Sequence, residues 1–83
     1  MVRPSSLALI GQAHAEMCAG RFREAGRLAL EAADAVENPA EADAVAHLAE
    51  ECMDRCGFMQ RGRFEAALEQ VEESRALLAL PTV

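Results

Sequence analysis

Tryptophan, tyrosine and lysine are absent from this 83-residue chain, and phenylalanine, at 4% of residues, is its only aromatic type. A core must therefore come from aliphatic side chains, and hydrophobic residues still make up 52%, much of it alanine. There is no β-branched run of the kind that supports a strand, whereas Ala with Leu, Glu and Arg favours helix. No stretch is long and apolar enough to cross a bilayer. The apolar run Leu7–Ile10 is also too short for a signal-peptide core, and Gln12, His14 and Glu16 soon interrupt it. With all eight basic residues arginine, the composition reads as that of a GC-rich, bacterial genome rather than as a binding signal.

Charge excludes further classes. A formal net charge of -6 and a pI of about 4.8 argue against a nucleic acid or an anionic membrane as the main partner. Three cysteines cannot all pair within one chain, which points to a reducing, cytoplasmic setting. Glycine-rich phosphate loops, nucleophile–base pairs and carboxylate pairs in apolar surroundings are all missing, so the expectation is a non-enzyme without cofactors. His47-Leu48-Ala49 superficially suggests a phosphotransfer helix, but Glu50 and Glu51 stand where Lys and Gly are required.

What is present is a repetition. Gly20-Arg21-Phe22-Arg23-Glu24-Ala25 returns 42 residues later as Gly62-Arg63-Phe64-Glu65-Ala66-Ala67, and at the same offset Met17 meets Met59, Glu31 meets Glu73 and Pro39 meets Pro81. Each unit reads as two helices joined at the glycine, the cheapest residue for the left-handed conformation that closes a helix. The phenylalanine then plugs the joint, and the small alanine three positions on lets the helices approach. The spacing predicts an all-α single domain with repeat 1 over about 5–38 and repeat 2 over about 39–81.

In chain order, Ser5 or Ser6 caps a first helix running to about Ala19, with Leu7, Ile10, His14 and Met17 on one face. Gly11 inside it suggests close approach of a neighbouring backbone. A second helix, about Arg21 to Glu37, turns Phe22, Ala25, Leu28, Ala29, Ala32 and Val36 to one side. Asn38 as N-cap, Pro39 in the first turn and Glu41 as capping-box partner mark the firmest boundary. The third helix reads from Pro39 to about Arg61, with Val45, Leu48, Cys52, Cys56 and Met59 buried and Gly57 as a point of bending or breakage. A fourth, about Arg63 to Leu80, buries Phe64, Ala67, Leu68, Val71 and Leu78, ends at Pro81, and leaves Leu77 and Leu80 off its stripe.

Gly-x-Phe-x-x-Ala with Ala32 twelve residues after Gly20 resembles the tetratricopeptide repeat. Gly20, Phe22, Ala25, Ala32 and Pro39 match the first unit; Gly62, Phe64, Ala67 and Pro81 match the second, where Ser74 stands in for the later Ala. The period is that of the longer-helix branch of such repeats. Ala13 and Phe58 occupy first-helix positions, although Gln12 and Asp54 replace the customary large apolar residue before them. The resemblance implies two stacked antiparallel hairpins and a non-catalytic scaffold that binds proteins or peptides. The Lys and Asn of that family's carboxylate clamp have no counterparts here. Since about three repeats are needed for a stable stack, a second copy is expected to cover the end or the strip with Leu77 and Leu80, as a symmetric homodimer.

Two clusters are candidate sites. Arg21, Arg23, Arg61 and Arg63, with Arg27 and Arg55 a turn away, gather at one end of both hairpins. They either clamp an anion or, as the favoured reading, complement helix C-termini and stay solvated. Asp34, Glu37, Glu41 and Asp43 collect at the other end. The second cluster is His14 with Cys18 and Cys52 with Cys56, each pair four residues apart on one helical face. Three thiolates and an imidazole suit zinc, and Met17, Met53 and Met59 nearby would shift preference toward Cu(I). Against metal, the repeat offset sets Cys56 beside His14 but Cys18 beside Gln60, and burial of cysteine as a small hydrophobe is the favoured reading.

Overall fold

The computed structural model describes residues 4–78. Four helices, α1 (Ser6–Cys18), α2 (Phe22–Asp34), α3 (Pro39–Arg55) and α4 (Arg61–Leu78), form two antiparallel hairpins stacked side by side. No strand occurs among the described residues. The expected Pro81 terminator and Leu80 lie outside them.

Ser5 caps α1, its hydroxyl accepting from the Ala8 amide at 3.2 Å. At the other end Gly20 takes φ +80°, the only positive φ among the described residues. The Arg21 amide reaches the Glu16 carbonyl at 2.8 Å and the Gly20 amide reaches Met17 at 2.9 Å, the paired bonds of a Schellman closure. Where that motif usually places an apolar contact, Arg21 and Glu16 form an ion pair. The chain turns into α2 within three residues, as the sequence suggests. Asn38 likewise caps α3, accepting from the Glu41 amide at 2.9 Å, with Pro39 in the first turn.

The second corner departs from the expected one. α3 stops at Arg55, about a turn and a half early; Cys56 and Gly57 are extended, and a 3₁₀ turn over Phe58–Gln60 leads directly into α4. Gly62 is not the hinge. It occupies the first turn of α4 with ordinary helical backbone, because the chain has already reversed upstream at Gly57. Phe22 opens α2, whereas Phe64 lies a turn inside α4, so the two units keep a phenylalanine near the joint while their joints differ in length and conformation.

The core lies between the helix layers. Leu9, Ala13 and Met17 from α1, Ala25, Leu28, Ala29, Ala32 and Ala33 from α2, Val45, Leu48, Ala49 and Cys52 from α3, and Phe64, Ala67 and Val71 from α4 are buried. Phe64 is completely enclosed, whereas Phe22 is half-buried against the same cluster. The face α1 buries is not the one expected: Leu7 and His14 are exposed and Ile10 half-exposed, while Ser6 and Ala13 are inside. Met59, expected on the stripe of α3, is outside the helix altogether, and Cys56 is only partly covered. On α4, Leu68 is half-buried and Leu78 exposed.

Close approach of backbones occurs at Gly26 rather than Gly11. Around Gly11 there is open space, whereas a β-carbon on Gly26 would stand 3.0 Å from Arg63 Cβ. This seats α2 on the start of α4. The helices are further pinned at their rims: Ser6 donates to Glu41 at 2.6 Å, Gln70 bonds Asp34, and Arg75 pairs with Asp43.

Candidate interaction surface

The hairpin topology gives the molecule two unlike ends. One gathers the close of α1, the start of α2, the close of α3 and the start of α4; it carries Arg21, Arg23, Arg55, Arg61 and Arg63. The Arg63 guanidinium donates to the Arg23 carbonyl at 3.2 Å, so the two Gly-Arg-Phe segments do meet. Most of these cations are matched locally. Arg21 pairs with Glu16, Arg27 with Glu24 and Glu31, Arg55 with Glu51 at 3.2 Å, and Arg61 with Glu65 at 3.7 Å. Hydrogen bonding by the arginines holds the Glu16 and Glu24 carboxyls below the ordinary glutamate range. Arg23 and Arg63 form no ion pair among the described residues. Local pairing of this kind is what a solvated rim requires, and it leaves Arg23 and Arg63 as the unmatched cations of this end.

From the same end the 3₁₀ turn projects Phe58 and Met59, 90% and 92% exposed. The sequence pattern places both within the first helix of repeat 2, and the structure puts them beyond its end. The signal was the Cys56-Gly57 pair: once the helix breaks there, the residues that follow leave its buried face. On α4, Leu77 is 70% exposed, as its position off the stripe predicts, and Leu80 is outside the described residues.

The opposite end is acidic. Between the start of α1 and the close of α2 opens a cleft of about 560 Å³ lined by Pro4, Leu9 and Val36 and edged by Glu31, Asp34 and Glu37. No basic residue occupies the last turn of α2, so its carbonyl end adds to the negative potential. Nearby, Glu41 accepts bonds from Ser6, the Glu37 amide and Asn38, which lower its pKa.

The cysteine cluster does not assemble. His14 and Cys18 lie 3.7 Å apart on the exposed side of α1. Cys52 is buried with its thiol 3.3 Å from the Met17 sulfur, and burial raises its pKa to about 11. Cys56 turns its thiol to the Met53 carbonyl at 3.9 Å. Among the described residues no three His, Cys, Asp or Glu side chains are grouped to hold a metal ion. His47 is exposed on α3.

The chain matches no protein-family model, no curated protein and no solved structure at a significant level. No helix of the described residues is long and apolar enough to cross a membrane.

Proposed function

We propose that this chain is a non-catalytic protein-interaction module of tetratricopeptide-like design, working in the cytoplasm and self-associating, with a dimer as its smallest assembled form. The observation that carries this is the exposure of two adjacent large apolar side chains, Phe58 and Met59, on a turn held against well-buried helices. Adjacent aromatic and Met side chains are enriched at protein interfaces, and leaving them in water costs about 1.5–3 kcal/mol each relative to burial. Repetition of Phe-x-x-Ala, at the start of α2 and one turn into α4, supports the family-like design. The net charge of -6 disfavours polyanionic partners, and three free cysteines suit a reducing compartment.

Light scattering on size-separated protein across a hundredfold concentration range tests the proposal. Mass above that of one chain is the expected result. A lone monomer throughout, together with stoichiometric zinc or copper lost on replacing Cys18, Cys52 and Cys56 with Ser, would overturn it in favour of a metal protein.

A further inference from the structure

We propose that the acidic-edged cleft at the start of α1 and the close of α2 receives the Phe58–Met59 turn of a second copy of this chain. The inference rests on the self-association reading above and specifies its contact. Three observations favour that occupant. First, one feature is a protruding apolar pair 90% and 92% exposed, and the other is a concavity of about 560 Å³ whose lining includes Pro4 and half-buried Val36.

Second, their surroundings are opposite in charge. Arg63 follows the turn and Arg23 sits beside it, neither in an ion pair among the described residues, while Arg55 and Arg61 are matched by Glu51 and Glu65. At the cleft Asp34 and Glu37 form no ion pair among the described residues, Glu31 is held by Arg27, and α2 ends there with no basic residue in its last turn. Such juxtaposition speeds encounter and fixes orientation. Third, the antiparallel hairpins put turn and cleft at opposite ends of the helices. Each copy thus offers one donor end and one acceptor end. The contact is heterologous rather than twofold, and repeating it builds a ring or an open row.

Two double variants and their mixture test this. F58S/M59S removes the turn's apolar pair, and E31R/E37R reverses two acids of the cleft; all four positions are exposed, and circular dichroism melts confirm that each variant keeps its helices. Sedimentation velocity on the wild-type chain should show mass rising with concentration past a dimer and falling with added salt. Each variant alone should associate at least tenfold more weakly. An equimolar mixture of the two should form dimers of one-to-one composition and stop there, because one intact turn meets one intact cleft.

If the wild-type chain and both variants associate alike, the contact is wrong while self-association stands. If the variants are monomeric and the mixture stays so, the turn-in-cleft pairing is also wrong. A wild-type chain that stays monomeric up to millimolar concentration removes both this contact and the reading it rests on.

Discussion

At the scale of single residues, the two glycines of the repeated segment have opposite roles although Arg-Phe follows each. Gly20 holds φ +80° in open space, so Gly20→Ala strains the backbone and should cost about 1–2 kcal/mol. Gly62 lies in regular helix, also with open space around it, and Gly62→Ala should add about 0.5–1 kcal/mol. Thermal melts of the two variants moving in opposite directions check the assignment; equal losses would restore Gly62 as a hinge.

Titratable residues are separable in the same way. Glu41 has a depressed pKa, so its bonds stabilise the fold above the ordinary glutamate value of about 4.3 and are lost as pH falls through its lower folded value. Glu41→Gln should melt lower than wild type at pH 7, and the gap should close in acid. Cys52 is shifted the other way: its stabilising contribution is full below the unfolded thiol value of about 8.5 and is lost as pH rises toward about 11. Iodoacetamide at neutral pH should therefore label exposed Cys18 first and Cys52 only on unfolding. Early loss of the Cys52 thiol would contradict its place against Met17.

At the scale of elements, Phe64 and Gly26 decide how the hairpins stack. Phe64 is enclosed at 0% exposure, and Phe64→Ala should cost about 3–5 kcal/mol. A single core of this size rarely supplies more than about 3–5 kcal/mol in total, so the variant should be largely unfolded by circular dichroism at room temperature. Phe22→Ala, at a half-buried site, should be milder. Gly26→Leu would drive a side chain into Arg63 and should cost about 1–3 kcal/mol through overpacking, with α4 losing hydrogen-exchange protection before α1. Equal loss in both helices would argue that α2 and α4 do not meet at Gly26.

For the whole molecule, separation of charge between the two ends matters more than the net value. The body measures 45 × 30 × 16 Å, thin enough that two helix layers leave every element partly in solvent. On the self-association proposed above, a small core and an exposed apolar turn would tie the fold's stability to assembly. The melting temperature should accordingly rise with protein concentration, since a partner that binds only the folded state stabilises it by mass action. A melting temperature independent of concentration would show that the isolated chain supplies all of its own stability.

The sequence by itself determined the helical class, the Gly20 corner and the Asn38-Pro39 boundary, because each rests on local chemistry: propensity, a positive φ that glycine tolerates, and a side-chain oxygen set to cap an amide. The apolar stripe of the fourth helix also placed Phe64 and Ala67 in the core, where they lie. Tertiary structure decided which face of α1 is buried, where α3 stops and what the second corner exposes. Alanine and other apolar residues lie on several sides of α1, so the contrast between its faces is weak; the neighbours select Leu9 and Ala13 over Leu7 and His14. Gly57 is equally able to continue or leave a helix, and the need to bring Phe64 into the core and Arg63 onto Gly26 resolves that choice. Phe58 and Met59 reach solvent as a consequence, because hydrophobic periodicity describes a residue's position along a helix and these two lie beyond its end.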